Sequence, residues 1–168
     1  GLGDVYKRQP KCCLYNVISK SDIYKKASVG GIITKSVFTI TAIGSLLEVK
    51  GFDRLIRVAE MLKKDGISFC IQIIGRGEKE AELKRLVHEL NVENEVHFLG
   101  FQANPYPYLK ESDIFISTSI SEGFSLVICE ALVLGIPIVA TNTAGALELL
   151  EGGEYGVITE QNDLSIYV

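Results

Sequence analysis

Hydrophobic positions along this chain follow two alternating rhythms. Short runs of consecutive, often β-branched apolar residues alternate with stretches where apolar positions recur every three or four residues. Val37-Phe38-Thr39-Ile40-Thr41-Ala42-Ile43 ends at Gly44 and reads as a buried strand. Over residues 51–65, Phe52, Leu55, Ile56, Ala59 and Leu62 share one helical face, and Gly66 ends the helix. The pair then repeats. Residues 68–74 read as a strand and Gly75-Arg76-Gly77 as a turn. Residues 78–90 read as a helix with the stripe Leu83, Leu86, Val87 and Leu90. Its acidic start and later Lys84 and Arg85 suit the helix dipole.

Further along, residues 96–99 give a short strand before Gly100, residues 105–111 a short helix or turn, and residues 113–117 another strand. Residues 119–141 read as strand end, glycine turn, amphipathic helix, short turn and a buried strand over 136–140. A short helix over 146–150 and a strand over 156–159 follow. Residues 11–18 hold a short apolar run, and residues 19–36 read as a linker or poorly formed helix.

Strands alternating with helices at this rhythm imply βαβ units. Right-handed crossovers then give an α/β fold, a doubly wound parallel sheet of Rossmann-like type. In such sheets ligands sit beyond the carboxyl ends of the strands. The loops to watch are therefore 44–51, 75–78, 100–105, 117–125 and 141–146. The glycines and charged residues that interrupt the pattern collect there.

Length and composition narrow the field. At 168 residues the chain suits one domain, and 47% apolar with 23% charged residues is ordinary for a soluble globular protein. A net charge of −4 supplies no basic field for nucleic acid, but leaves room for one small phosphate ligand. Cys12, Cys13, Cys70 and Cys129 have no metal-ligand spacing and read as reduced, small hydrophobes, which points to the cytosol. There is no signal peptide pattern, and the apolar run 127–140 is broken by Glu130, Gly135 and Pro137. Residues 4–9, DVYKRQ, resemble a translated sequencing adapter, so 1–9 read as a non-native tail. Residues 10–36 read as an interdomain segment and entry, 37–163 as the domain, and 164–168 as a truncated end.

The loops carry the chemistry. Lys50, followed by Gly51 at a helix start, is either a solvated surface lysine or an ammonium set beside free amides, which would suit a diphosphate. Gly75-Arg76-Gly77 is a tight turn or the start of a dinucleotide fingerprint whose third glycine is absent. Phe101 and Gln102 are a core edge or a source of backbone groups and an aromatic face for a base. Gly123, Phe124, Ser125 and Leu126 lie where a helix exposes unpaired N–H groups, an anion site. Glu122 reads as a dipole-stabilised acid or an acceptor of hydroxyls. Glu130 is a surface position or a buried carboxylate in need of a partner. The two glutamates are eight apart and would not share a face of one helix.

Glu122-Gly123-Phe124-Ser125-Leu126-Val127-Ile128-Cys129-Glu130-Ala131 resembles the Glu-x7-Glu motif of retaining GT-B glycosyltransferases, most closely family 4, glycosyl transferases group 1. Other segments match in order. Gly44-Ser45-Leu46 through Lys50-Gly51-Phe52-Asp53 is similar to G-R-L…K-G-F-D. Ile74-Gly75-Arg76-Gly77 is similar to a G-x-G turn. Residues 98–108 are similar to the segment lining a base pocket, and residues 135–141 to G-x-P-V-V-A-T.

The resemblance covers about residues 14–160 and implies the C-terminal, donor-binding half of a GT-B fold, with a nucleotide-sugar as substrate and no metal or other cofactor. It implies that Glu130 holds ribose hydroxyls and Glu122, the catalytic candidate, contacts the donor sugar. The amides of Phe124 and Ser125 would meet the diphosphate, Lys50 would neutralise it, and Phe101 and Gln102 would serve the base. Ser45 stands where the family usually has Arg, and Arg76 is expected to supply part of the missing charge. The partner implied is an N-terminal acceptor domain missing from this chain, through which the whole cytoplasmic protein could touch the inner face of a membrane. Without it, donor binding but not transfer is expected. Two alternatives stay open: a sugar-nucleotide epimerase of GT-B architecture, and a non-catalytic nucleotide-binding α/β module.

Overall fold

The computed structural model of the chain describes residues 18–29 and 37–160. Helix α1 spans Lys20–Ala27. Then come β1 Phe38–Ile43, α2 Phe52–Lys64, β2 Phe69–Ile74, α3 Glu80–Glu89 and β3 Val96–Gly100. Helix α4 spans Tyr106–Lys110, β4 Ile114–Ser117, α5 Leu126–Leu134, β5 Ile138–Thr141, α6 Ala144–Leu149 and β6 Val157–Thr159.

The strands form one six-stranded sheet in the order β3-β2-β1-β4-β5-β6, parallel throughout. The doubly wound α/β expectation therefore holds. Chain direction across the sheet reverses between β1 and β4, so a crevice opens at the carboxyl ends of those two strands. The loops after β1 and β4 are the ones that border it.

Alternate residues of each strand feed two cores. Ile116 joins Ile40, Ile71 and Ile73 under α2 and α3, while its neighbour Phe115 joins Ile128, Ala131, Ile138 and Ala140 on the side of α4, α5 and α6. All five residues of the stripe read for α2 are buried, and Val58 with them. Burial of each such large side chain contributes about 1.5–3 kcal/mol. In α3, Leu83 and Val87 are buried, but Leu86 and the C-cap Leu90 only partly.

Several expectations need correction. Part of the segment read as a linker or poor helix is the regular helix α1. Ser19 caps it, its Oγ accepting from Asp22 N at 3.4 Å. Long-range bonds hold the helix down: Tyr24 donates its hydroxyl to the Val133 carbonyl at 2.8 Å, and Asn104 Nδ2 donates to the Lys26 carbonyl at 2.9 Å. Helix α5 is not amphipathic. Its nine residues, LVICEALVL, include a single charge, Glu130, because α1, α4 and α6 wrap it on the side away from the sheet. Cys70 and Cys129 are free thiols, and burial pushes both above the usual thiol range. The sequence features read over 1–17, 30–36 and 161–168 lie outside the described residues. Among the described residues, no helix is long and apolar enough to cross a membrane.

Candidate functional site

The site is built at the switch point. After β1 the chain turns through Gly44 and Ser45 into a short 3-10 helix, Glu48–Lys50. After β4 it runs through Thr118 to Ser125 and enters α5. The two loops are stitched together. Ile120 N donates to the Val49 carbonyl at 2.8 Å, and Thr118 Oγ1 to the Lys50 carbonyl at 3.0 Å. Between them lies a cavity of ≈ 240 Å³, with Ser45, Lys50, Glu122, Phe124, Ser125 and Leu126 in its walls.

Lys50 and Glu122 meet in this cavity. Lys50 Nζ lies 2.6 Å from Glu122 Oε1, and Ser119 Oγ lies 3.2 Å from Oε2. The two side chains are 24% and 14% exposed, so the pair is shielded yet open to a ligand. Glu122 is not a helix-start acid. It stands in the loop before α5, and its carbonyl accepts from Gly145 N at 2.9 Å. Gly145 packs so closely that a Cβ there would lie 3.0 Å from the Gly123 carbonyl and from Phe124 N. Nothing in the local pattern marked Gly145 or Ser119.

Helix α5 begins later than expected. Ser125 is its N-cap, with extended backbone, and its Oγ accepts from Ile128 N at 3.4 Å. The amides of Gly123, Phe124 and Ser125 therefore belong to the approach loop, while Leu126 opens the first turn, its side chain 49% exposed.

Glu130 faces α4, neither at the surface nor alone. Tyr106 donates its hydroxyl to Glu130 Oε1 at 2.8 Å. Burial pushes the Glu130 carboxyl above the usual range, against the pull of the Tyr106 bond and the Lys26 charge. Burial, with Glu130 beside it, pushes the Tyr106 phenol up to about 12, so it remains a donor. Sequence reasoning missed this partner, although Tyr106 lies in the segment likened to a base pocket.

The remaining candidates line the loops after β2 and β3. The Arg76 guanidinium stands 5.9 Å from the centre of the Phe101 ring, which is 62% exposed. The Arg76 carbonyl accepts from Leu46 N at 2.9 Å, which ties this turn to the loop carrying Ser45. Gln102 turns its Nε2 back onto the Leu99 carbonyl at 2.8 Å. Lys50, Glu122, Ser45, Phe124, Ser125 and Leu126 are thus gathered in one cavity, whereas Glu130 stands further along α5 and Arg76 and Phe101 pair with each other.

Fold and site together define a doubly wound α/β domain with a cation, a carboxylate and a helix start at its switch point. The chain belongs to the glycosyl transferases group 1 family, whose pattern matches residues 30–166. It is 38% identical over 162 residues to the N-acetylgalactosamine-N,N'-diacetylbacillosaminyl-diphospho-undecaprenol 4-alpha-N-acetylgalactosaminyltransferase of Campylobacter jejuni, covering 94% of this chain and 43% of that protein. It is 30% identical over 132 residues to the putative colanic acid biosynthesis glycosyltransferase WcaL of Escherichia coli, covering 74% of this chain and 32% of that protein. Among solved structures, Anabaena HepE in complex with UDP-glucose matches with a TM-score of 0.69 at 30% identity, over 89% of this chain and 41% of that one. The chain therefore spans less than half the length of these relatives.

Proposed function

We propose that this chain is the nucleotide-sugar-binding half of a retaining GT-B glycosyltransferase of family 4, and that its donor is a UDP-sugar. The observation that carries the reading is the Lys50–Glu122 pair in the wall of the switch-point cavity, beside the start of α5. A diphosphate there would take Lys50 and the free amides of the approach loop and first helical turn. Glu122 would then turn to a sugar hydroxyl. Glu130, further along the same helix, would take the ribose hydroxyls, and Phe101 with Gln102 would meet the base. Arg76 would add positive charge where Ser45 offers none. The UDP-glucose bound to the similar HepE supports a uridine donor.

In the whole protein, fixed dipoles and cations would stabilise the leaving diphosphate as the sugar passes, with retained configuration, to a glycan or lipid-linked acceptor. The acceptor would be held by an N-terminal half of the whole protein, which would also carry any contact with the cytoplasmic face of a membrane. Thermal-shift screening against UDP-sugars, GDP-sugars and NAD tests the reading. UDP-sugars should raise the melting temperature, and stabilisation by NAD alone would overturn the assignment. Arg76→Ala should weaken UDP binding; unchanged affinity removes Arg76 from the site.

A further inference from the structure

Glu130 can recognise two neighbouring hydroxyls only if its carboxylate is held in one orientation. A carboxylate offers about four lone-pair sites. Tyr106 occupies one of them on Oε1, at 2.8 Å. Among the described residues no other hydrogen bond reaches this carboxylate, which leaves the second site of Oε1 and both sites of Oε2 for two donors from a vicinal diol.

Tyr106 is itself held. It opens α4 directly after Pro105, whose ring suits the start of a helix. Lys26 of α1 places its ammonium 5.8 Å from the centre of the Tyr106 ring. Asn104 fixes Lys26 from below through its backbone carbonyl. The phenol thus reaches Glu130 from a separate helix buttressed by a second one. A side chain with three rotatable bonds, such as Glu, gains a preferred orientation from such a contact.

We infer that Tyr106 is a positioning residue that orients Glu130 toward the ribose hydroxyls, so that preference for a ribonucleotide over its dideoxy counterpart depends on the Tyr106 hydroxyl. This rests on the reading of Glu130 as the ribose-binding carboxylate. Tyr106 touches Glu130 rather than the ligand, and acts only through it.

The test compares affinities of UDP and 2′,3′-dideoxy-UDP for the 168-residue chain, for Tyr106→Phe and for Glu130→Ala, by calorimetry, with thermal melts to verify folding. The parent should prefer UDP. Glu130→Ala should abolish the preference, and Tyr106→Phe should reduce it by about 5- to 10-fold while leaving dideoxy-UDP affinity within about twofold. A merely structural role for Tyr106 would weaken both ligands alike and leave their ratio intact. If Tyr106→Phe retains the parent ratio while Glu130→Ala loses it, the positioning role is refuted and the ribose reading stands. If Glu130→Ala retains the ratio, the ribose reading itself falls and the positioning role falls with it.

Discussion

Lys50 and Glu122 come from loops on opposite sides of the topological switch point and meet with Nζ 2.6 Å from Oε1. Without a ligand, each group neutralises the other. A diphosphate competes with Glu122 for the ammonium, and a sugar hydroxyl competes with Lys50 for the carboxylate. The two partners should therefore respond to mutation in opposite ways.

Lys50→Ala removes a charge-assisted hydrogen bond to the diphosphate, a contribution of about 1.5–3 kcal/mol. UDP affinity should fall by roughly 10- to 100-fold. Glu122→Gln frees Lys50 for phosphate, so UDP should bind at least as tightly as to the parent. That variant should lose the extra affinity for UDP-sugar over UDP. Calorimetric titrations of both ligands check the pair of outcomes. Equal losses of UDP affinity in both variants would contradict the proposed division of labour.

Gly51 links the 3-10 turn to α2 with a φ of 61°, and a Cβ there would run into the Thr118 carbonyl. Thr118 also donates to the Lys50 carbonyl. Gly51→Ala must therefore push the two loops apart as well as strain the backbone. We expect a loss of about 2–4 kcal/mol in urea unfolding, together with weakened UDP binding. A loss below about 0.5 kcal/mol, the level of an ordinary surface substitution, would show that the loops are not locked.

The sheet was legible because its strands are continuous apolar runs and its helices carry a clear 3.6-residue period over α2. Periodicity reports burial against the sheet and nothing else. It therefore failed for α1, a short helix whose apolar stripe is only Ile23 and Ala27 and whose docking also draws on hydrogen bonds from Tyr24 and Asn104. It failed again for α5, where other helices bury the outer face too. The stretch from Glu122 to Glu130 in the candidate site could be picked out because its residues are adjacent in sequence. What sequence could not supply was pairing between distant segments: Lys50 with Glu122, Tyr106 with Glu130, Gly145 behind Gly123. Each of these is set by where the sheet brings two loops or two helices together.

Glu130 should lower stability at neutral pH. Its carboxyl is raised in the folded state, chiefly by burial, so the folded chain binds its proton more tightly than the unfolded chain does. The associated stability is fully present below the ordinary Glu value of about 4.3 and is lost as the pH rises through the raised value. Glu130→Gln removes this loss. Its melting temperature at pH 7 should exceed that of the parent, with a smaller difference at pH 4. Scanning calorimetry at both pH values checks this; a lower melting temperature at pH 7 would contradict it.

Ser125→Ala should cost about 0.5–1 kcal/mol, the low end for an N-cap, because its bond to Ile128 N is long at 3.4 Å. Denaturant unfolding reads that loss directly. A neutral result would mean that the start of α5 is held by its surroundings alone.

The most direct test of the donor site is a residue-resolved NMR titration of the chain with UDP. The reading predicts saturable shifts at Ser45, Lys50, Phe101, Gln102 and residues 122–130, which lie on three different loops and one helix. A second cavity, ≈ 420 Å³ between α2 and α3 and walled by Arg54, Arg57, Arg85 and Glu89, provides the natural contrast. Shifts confined to that cavity, or none at millimolar UDP, would contradict the assignment of the switch-point crevice as the nucleotide-sugar site.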